Sequence, residues 1–495
     1  EIIFPIQGDT LNYRQIPIKW EQEPSAIAYN IKLYKGIEPI DLILDVIDSS
    51  LVHIIDESII DWDESYLLYL RPILNNGSFS DEHDSISFST YSMPEDYSNS
   101  YIETNMLIDE QYYSGITFLQ KTVINKEGEN IFFWKTPNID HDGMNFTFSK
   151  LLDNGNLLGW IKSFSETTIS GGVEIDFNGD IHWQSNESVH HDIFCMPSGN
   201  YIGLVKEVFY APPPDGPWIA DFEEYGITSI EWLGDKIIEW DSQGNIVWSW
   251  RTTDHISLEE FDSAWIEGNH TDDIIFGIHG FDWTHSNAVF YDVVDNAVYL
   301  SVRHLSRIIK IDYDTGDIIW SMGKDFLPGV IDFGQNLGFS YQHAIRVLDN
   351  RNLMLYDNGN QNNPQVSRCI ELELNEDESN AEIVWEYILP DSVFTASMGE
   401  CDRLDNGNTL ITAGRANYLL EIDDQNNPVW EINTEDPFYR SDRVISLYPL
   451  LYSVEIPNFS NTILSPEVYF SIGESSFPLT ITNEGYLDLS FQVLI

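Results

Sequence analysis

Basic residues are scarce in this 495-residue chain. Only 24 Lys plus Arg stand against 81 Asp plus Glu, which gives a formal net charge of −57. A surface of this sign repels phosphate backbones and anionic lipid, so the composition argues against nucleic-acid binding. The acidic residues are spread along the chain as in a solvated, salt-adapted surface. Any site for an anionic substrate therefore has to concentrate the few histidines, lysines and arginines in one cleft.

Cysteine and long apolar runs are also lacking. Cys195, Cys369 and Cys401 show no CxxC spacing and no disulfide framework, and their odd number leaves at least one thiol unpaired within the chain. No apolar run reaches the roughly 18 residues of a transmembrane helix, so no membrane span is expected. No signal peptide is visible, and the start at Glu1 instead of Met leads us to expect a removed leader or a cloned fragment.

Helical periodicity is nearly absent, and short β-type runs take its place. Residues 1–92 alternate apolar and polar residues in runs such as AIAYNIKLYK and SYLLYLRPIL, with turn residues between them. This pattern predicts an antiparallel β-sandwich. Trp20 and these two strands resemble a fibronectin type III module, for which we expect a role in spacing or docking.

A repeat occupies residues 105–452. One half of its unit is a hairpin around an Asn/Gly turn, as in FTFSKLLDNGNLLGW, and the other half is a hairpin that ends in Trp, as in IIKIDYDTGDIIW. Two hairpins supply the four strands of one propeller blade. Five units are complete, and a sixth combines GITFLQKTVINKEGENIFFW with late strands near RVISLYPLL. We therefore predict an all-β chain with a six-bladed β-propeller, although the long insertion at 205–280 leaves seven blades open.

Residues 455–495 have the pattern of the first strands of another small β-sandwich. This segment ends before such a domain can close, so we expect the natural chain to continue beyond Ile495. The sequence thus predicts three parts: a fibronectin type III-like sandwich at 1–92, a propeller at 105–452 and a partial C-terminal sandwich at 455–495.

Three histidines occupy equivalent places in the repeat. His191 precedes Asn200 by the same interval at which His343 precedes Asn352, and His285 opens the matching strand of the unit between them. A single histidine in such a place is more often a hydrogen-bonded loop residue. Three at one position of successive blades converge on one axis, because the inner strands of a propeller line its channel. We therefore predict a site at the entrance of the channel.

Arg303 is the fourth candidate. It follows a strand of strong β-propensity, where an inward-facing arginine is unfavourable unless it meets an anion. Its planar donors suit a tetrahedral oxyanion, although pairing with one of the many carboxylates is an alternative. The neighbouring His304 is expected on the opposite side of the sheet, because side chains alternate along a strand.

The three histidines and Arg303 admit two interpretations. Three imidazoles can bind zinc or another transition metal, but an arginine beside a dication is unfavourable and no HxH or HxxxH spacing supports a metal. Alternatively, one histidine attacks a sulfuryl or phosphoryl centre while the other groups hold its oxygens and protonate the leaving group. This second interpretation uses all four residues, so no metal and no cofactor are expected.

At these residues the chain resembles the bacterial arylsulfotransferase family. The resemblance spans about residues 110–450 and rests on FDWTHSNAVFYD, SVRHLSRIIKIDYD, FSYQHAIRVLDN, SRCIELELNE and MGECDRLDNGNTLI. It implies a six-bladed propeller that transfers a sulfuryl group from an aryl sulfate donor to a phenolic acceptor. The reaction would be ping-pong through a sulfohistidine, without the nucleotide donor PAPS. The family also implies a periplasmic or secreted location, and a homodimer is compatible with the sequence.

The resemblance carries roles over to single residues. His343, in YQH, is expected to be the nucleophile, and His285 and Arg303 are expected to bind the sulfuryl oxygens. The HHD segment supplies the remaining histidine. His191 is preferred to His190 because its offset from the turn equals that of His343.

Three further residues near these motifs are expected to contact substrate. Asn287 follows His285 closely and is expected to act as an additional donor. Trp283 and Tyr341 are expected to stack on the aromatic ring, with a place in the propeller core as the alternative. Two other functions stay open at this level: a non-catalytic propeller that binds a partner at the cell surface, and a metal-dependent hydrolase or lactonase.

Overall fold

The structure is a computed structural model that describes residues 1–23, 25–95, 102–120, 122–134, 144–163, 171–263, 271–275, 277–334, 337–449, 451–455 and 480–483. This part of the chain consists mainly of β-strands, which confirms the all-β prediction. Its helices are short: α1 (Ile219–Glu224), α2 (Thr252–His255) and α3 (Thr271–Ile275). Among the described residues, no helix has the length and apolar character needed to cross a membrane.

The first eight strands form two sheets with a common hydrophobic core. The strands are β1 (Ile2–Phe4), β2 (Thr10–Leu11), β3 (Ile16–Trp20), β4 (Ala26–Lys35), β5 (Asp41–Asp48), β6 (Val52–Ile55), β7 (Ser65–Leu74) and β8 (Asp84–Thr90). The sheet orders are β1-β3-β6 and β2-β8-β7-β4-β5. Trp20 and Tyr66 are fully buried in the core between them. Alternate residues of β7 are buried, as expected for a strand with one face on a core.

Six sheets follow within the described residues, each built on four antiparallel strands. Their strands are β9 (Ile102–Met106), β10 (Ile116–Phe118), β11 (Thr122–Ile124), β12 (Asn130–Phe133), β13 (Met144–Leu151), β14 (Leu157–Ser163), β15 (Gly171–Ile175), β16 (Ile181–Gln184), β17 (Val189–Cys195), β18 (Tyr201–Ala211), β19 (Ile230–Trp240), β20 (Ile246–Arg251), β21 (Phe281–Asp282), β22 (Ser286–Asp292), β23 (Ala297–Val302), β24 (Arg307–Asp312), β25 (Ile318–Gly323), β26 (His343–Val347), β27 (Leu353–Asp357), β28 (Arg368–Asn375), β29 (Asn380–Ile388), β30 (Glu400–Arg403), β31 (Thr409–Ala413), β32 (Tyr418–Ile422), β33 (Pro428–Thr434) and β34 (Asp442–Val444).

The sheets are numbered here along the chain. A fifth strand, β9, joins the last sheet, and β21 pairs in parallel with β19. Sheet 1 has the order β34-β10-β11-β12, sheet 2 β13-β14-β15-β16, sheet 3 β17-β18-β19-β20, sheet 4 β22-β23-β24-β25, sheet 5 β26-β27-β28-β29 and sheet 6 β30-β31-β32-β33-β9. The pairing of β34 with β10 confirms that an early hairpin and a late strand combine in one unit. The first strand of sheet 4, β22, packs on the first strands of sheets 3 and 5, β17 and β26. The insertion at 205–280 lengthens β18 and β19 and adds α1, α2 and α3.

A hydrogen bond within one sheet accounts for the acidic residue that the repeat carries before its Trp strand and for the asparagine in its first turn. Glu239, on the third strand of sheet 3, lies opposite Trp248 and accepts a 2.6 Å hydrogen bond from Asn200, the asparagine after the first turn. Equivalent glutamates accept from turn asparagines in sheets 2, 5 and 6: Glu174, Glu371 and Glu421. In sheet 4 the charges are exchanged, because Lys310 donates to Asp295 of the turn at 2.7 Å. In sheets 2, 3, 5 and 6, the glutamate on the third strand is therefore hydrogen-bonded to the asparagine in the turn between the first two strands.

A disulfide joins two neighbouring sheets. Cys369 in β28 of sheet 5 is bonded to Cys401 in β30 of sheet 6, and both side chains are fully buried. Cys195 is a free thiol. The expectation of no disulfide is therefore wrong. The two cysteines are 32 residues apart in the sequence and meet because sheets 5 and 6 pack together. The spacing of cysteines along the sequence does not indicate such a pairing.

The N-terminal sheets dock on sheets 1 and 2 through a short polar segment. The side-chain amide of Asn12 donates to the carbonyl oxygens of Phe133 (2.8 Å) and Phe177 (2.9 Å). The Arg14 backbone N–H donates to the carbonyl of Ile131 at 2.9 Å. Because Asn12 is almost fully buried, these bonds fix the N-terminal sheets against the repeat.

The C-terminal segment is described only in part. β35 (Tyr452–Glu455) pairs with β36 (Thr480–Asn483) in an antiparallel ladder. The other residues of the predicted partial sandwich at 455–495 lie outside the described ranges.

Candidate active site

The three histidines of the repeat lie where the first strands of sheets 3, 4 and 5 begin. His191 lies in β17, His285 immediately precedes β22, and His343 opens β26. In each sheet the pairing with the second strand shifts register at this point. Such bulges redirect side chains and are frequent beside functional sites. The backbone has positive φ at His191 (60°) and His285 (46°).

These bulges bring the imidazole rings together. The ring centroid of His285 lies 4.7 Å from that of His191 and 4.5 Å from that of His304. The Nδ1 atoms of His190 and His191 are 2.7 Å apart, so one ring donates to the other. Burial, reinforced by the charges of His285 and His190, lowers the pKa of His191 well below its ordinary value. His191 is therefore a neutral imidazole at neutral pH.

His343 is held in one tautomer. Its Nδ1–H donates to Oδ1 of Asn358 at 2.6 Å, and its Nε2 accepts the backbone N–H of Met398 at 3.2 Å. Burial lowers the pKa of His343 well below its ordinary value, and the charge of Arg303 adds to the effect. The ring is therefore neutral, with its lone pair on Nε2. An imidazole in this state can act as a nucleophile.

Asn358 fixes that arrangement and was not predicted from the sequence. Its amide donates to the carbonyl oxygens of Thr395 and Met398, both at 2.8 Å, so its Oδ1 has to face His343. Asn358 stands in DNGN at 357–360, a motif that looks like another Asn/Gly turn of the repeat. Only the offset of this motif from the other turns could have distinguished it.

Arg303 lies in the turn after β23 and faces the same cluster. Its guanidinium stands 4.9 Å above the ring of Tyr341 and donates to the carbonyl of Ala396 at 2.9 Å. Burial lowers the pKa of Arg303 to about 10, so the group remains cationic at neutral pH. A buried guanidinium with planar donors is suited to the oxygens of a sulfuryl group.

Asp282 and His285 form a second pair that was not predicted. The Nδ1–H of His285 donates to Oδ2 of Asp282 at 2.5 Å. Burial by itself would raise the pKa of the Asp282 carboxyl, but the charges of His285 and His304 hold it well below its usual range. The carboxylate is ionised, so it can stabilise a protonated His285, as an aspartate does for histidine in hydrolytic triads.

The position of His304 corrects an expectation. The alternation rule placed it on the side of the sheet opposite Arg303, but it stacks on His285 and donates from Nδ1 to the carbonyl of Asp282 at 2.7 Å. β23 ends at Val302, so both residues belong to a turn and strand alternation does not apply to them. His304 is buried, and burial lowers its pKa well below the ordinary value.

His190 connects the cluster to sheet 3. Its Nε2 lies 3.3 Å from Oδ1 of Asp235, a buried residue of β19. Oδ2 of Asp235 accepts the hydroxyl of Thr284 and the backbone N–H of Ser286, both at 2.6 Å. Asp235 therefore holds the segment on both sides of His285, and the ring of His190 lies against its other carboxylate oxygen.

The remaining predicted residues surround the cluster in different ways. The amide of Asn287 is fully buried and donates to the carbonyl of Gln342, next to His343, at 2.7 Å. The Tyr341 hydroxyl donates to Asp262 at 2.9 Å. Trp283 is 1% exposed and packs edge-on against Trp232 in the hydrophobic core, which corresponds to the core role that the sequence left open.

One further cation close to the cluster is already neutralised. Arg440 forms a buried ion pair with Asp192 at 2.7 Å, and Asp192 directly follows His191. The preceding Tyr439 lies 6.0 Å from His191, ring centroid to ring centroid. This late segment contributes to the wall of the site, and nothing in its local sequence marks it.

Asp282, His285 and His304 could also be considered as metal ligands. Their ligand atoms lie within 4.8 Å of one another. The rings of His285 and His304 are nearly parallel, at 28°, so their lone pairs point side by side and do not converge. Both Nδ1 atoms are already hydrogen-bonded. A tetrahedral zinc site would require these rings to rotate.

Neutral imidazoles, a buried guanidinium and an Asp–His pair thus lie together, an arrangement that can bind an anionic group. A family model described as "Arylsulfotransferase (ASST)" matches residues 120–440, a range that contains all the site residues described above. The chain belongs to the arylsulfotransferase family.

Solved structures show only a distant likeness. A streptogramin B lyase structure is 14% identical, with 70% of this chain and 75% of that chain covered and a TM-score of 0.30. The periplasmic gluconolactonase of Pseudomonas aeruginosa is 9% identical, with coverage of 84% and 99% and a TM-score of 0.32. Likenesses of this size carry no argument about activity. No curated protein matches the chain.

Proposed function

We propose that this protein transfers a sulfuryl group from an aryl sulfate to a phenol in a ping-pong reaction through a sulfohistidine at His343, without PAPS. Family membership supports arylsulfotransferase activity in general. The observation that carries the mechanism is the state of His343: a neutral ring whose Nδ1–H is bound by Asn358, so that the lone pair is on Nε2.

In the first half-reaction the Nε2 lone pair forms a bond to sulfur while the bond from sulfur to the aryl oxygen breaks. The electron pair leaves with the phenolate, which takes a proton from His285. Asp282 stabilises the protonated form of His285 before this transfer. The N–H of Met398 has to leave Nε2 for attack to occur, and it then faces the sulfuryl oxygens.

In the second half-reaction the same groups act in reverse. The phenolic acceptor gives its proton to His285, its oxygen attacks sulfur, and the bond from sulfur to His343 breaks. Arg303 and His191 hold the sulfuryl oxygens in both steps, because fixed positive and hydrogen-bonding groups offset the repulsion between an anionic sulfate and a nucleophile. Asn287 positions the backbone before His343 through Gln342, and a direct contact with substrate requires release of that bond.

We further propose that the six sheets close into a six-bladed propeller at 105–452 and that residues 1–92 are a fibronectin type III-like module. Closure is supported at both ends of the repeat, because β34 pairs with sheet 1 and β9 with sheet 6. The buried disulfide supports a periplasmic or secreted location, since such bonds persist in oxidising compartments.

The proposal is tested with 4-nitrophenyl sulfate, with and without phenol, in EDTA and without PAPS. Nitrophenolate release that phenol accelerates is expected. Release at the same rate without phenol would indicate a sulfatase, and a requirement for added metal would move the histidines to a metal site. If no activity is detected with several aryl sulfates and phenols, a non-catalytic propeller that binds a partner would be favoured.

Two variants accompany this assay. His343→Asn removes the nucleophile and is expected to abolish release. His182→Ala alters an exposed histidine of β16 that is hydrogen-bonded to Asp176, away from the histidine cluster, and is expected to retain the wild-type rate. Equal activity of both variants would overturn the role of His343.

A further inference from the structure

Among the residues that the structure describes, most cations of this acidic chain are paired with a carboxylate. Among the described residues, arginines and lysines in every part of the fold form ion pairs, as Arg251 does with Glu207, Arg403 with Glu371 and Arg443 with Glu421. With 81 acidic residues against 24 basic ones, a cation without such a partner is unexpected. Two of these exceptions, Lys206 and Arg415, lie beside the histidine cluster.

Lys206 lies on β18 of sheet 3. The register places it opposite Asp235, whose carboxylate is already engaged by His190, Thr284 and Ser286. Lys206 is exposed, and within the described part of the chain the neighbouring Glu207 pairs with Lys236 and Arg251 and not with Lys206. Because Asp235 contacts His190 and Ser286, its cross-strand neighbour Lys206 lies next to the segments that carry His191 and His285. In agreement, the charge of Lys206 is a minor cause of the lowered pKa of His191.

Arg415 lies in the turn between β31 and β32 of sheet 6. It is exposed, and its one hydrogen bond among the described residues is a long one, 3.4 Å, to the hydroxyl of Ser397. Ser397 follows Ala396, whose carbonyl accepts from Arg303. Arg415 therefore lies on the other flank of the cluster, next to the guanidinium expected to hold the sulfuryl group.

Two cations that have no carboxylate partner within the described residues and that flank the proposed transfer site can bind a negative charge of the substrate other than the sulfuryl group. His191, Arg303 and the Asp282–His285 pair already provide for one anion. Screening by salt confines the repulsion of a highly acidic surface to about 8 Å at physiological ionic strength, so cations at the rim decide the local potential. Cations beside the groups that hold the sulfuryl oxygens can contact substituents of the aromatic ring.

Resting on the proposed function, we propose that Lys206 and Arg415 bind a second anionic substituent on the aromatic ring, a carboxylate or a second sulfate. The preferred donors are then dianionic aryl sulfates. A general steering effect is the competing explanation, and it would favour every anion alike.

Binding without turnover separates these possibilities. Benzenesulfonate and 3- and 4-sulfobenzoate mimic mono- and dianionic donors but cannot transfer the group, so their affinities are measured by calorimetry. The wild type is expected to bind a sulfobenzoate roughly fivefold more tightly or better, since each exposed ion pair contributes up to about that factor. The double variant K206M/R415M is expected to lose this preference. The control K32M, which removes a partly exposed lysine of the N-terminal sheets that pairs with Asp45, is expected to keep it.

The same comparison is made in turnover with 4-nitrophenyl sulfate and its ring-carboxylated derivative. The ratio of their kcat/KM values is expected to fall in K206M/R415M and not in K32M. Equal affinity of the wild type for both ligand types, or an equal loss for both in the double variant, would overturn this inference and leave the proposed function intact. Absence of binding by either ligand would count against the anion site itself, and so against both proposals.

Discussion

The Nδ1 atom of His343 lies 2.6 Å from Oδ1 of Asn358, and both side chains are buried. The asparagine cannot turn its amide nitrogen towards the ring, because that nitrogen donates to two backbone carbonyls. One hydrogen bond thus decides which imidazole nitrogen keeps its lone pair. Asn358 acts through His343 and is a positioning residue.

Asn358→Ala is expected to lower kcat at least about tenfold with little change in KM, because loss of a partner that orients a functional histidine typically costs that much or more. Steady-state kinetics with 4-nitrophenyl sulfate and phenol measure both constants. Asn245→Ala, in an exposed turn of sheet 3, serves as the matched control. A variant that raises KM and leaves kcat unchanged would contradict the positioning role.

Asp282→Asn is expected to slow donors with poor leaving groups most. The substitution removes the charge that stabilises protonated His285, and general acid catalysis contributes about 100-fold or more when the leaving group needs a proton. Phenyl sulfate should therefore lose about 100-fold in kcat/KM, and 4-nitrophenyl sulfate far less, as followed by chromatography of the products. Asp48→Asn is the control, since Asp48 contacts His53 at 2.9 Å in the N-terminal sheets. An equal loss in kcat/KM for both donors would contradict a role of Asp282 and His285 in proton transfer to the leaving group.

Asp402→Asn is expected to stabilise the protein at pH 8 more than at pH 4.5. Burial, followed by the charge of Asp442, raises the pKa of Asp402 to about 6. A carboxyl with a raised pKa contributes stability below its unfolded value, and this contribution is lost as the pH rises through the folded value. Removal of the charge should therefore raise the unfolding temperature on the alkaline side only. Asp349→Asn, an exposed residue at the same end of the sheets, is the control. No difference between the two pH values would contradict the assignment.

Replacement of Cys369 and Cys401 by alanine is expected to lower the free energy of unfolding by about 2–4 kcal/mol, the usual contribution of a disulfide. Chemical denaturation of the double variant, with Cys195→Ala as the control, measures the loss. An unchanged midpoint would show that the bond between sheets 5 and 6 adds nothing to stability.

Much of this architecture could be predicted from the sequence, because strand alternation and turn chemistry are local. The same local pattern located His191, His285 and His343, since equivalent positions in a repeat occupy equivalent places in space. Groups that meet through packing were missed. Asp282 and Asn358 stand in ordinary strand and turn motifs, and only the fold brings them to a histidine.

The failure at His304 has a different cause. Alternation describes a residue inside a strand, and here the strand ends one residue before Arg303. The end of a strand depends on the packing of the whole sheet, so the sequence could not report it.

The most direct test of the central claim mixes the protein with 4-nitrophenyl sulfate in the absence of any phenol. The account predicts a rapid release of nitrophenolate equal to the amount of enzyme, and a mass increase of one SO3 on the peptide that contains His343, measured without acid treatment. Addition of phenol should remove the mass increase and yield phenyl sulfate. A stoichiometric adduct on another residue, or steady release with no adduct on a protein that is active with phenol, would contradict the role of His343.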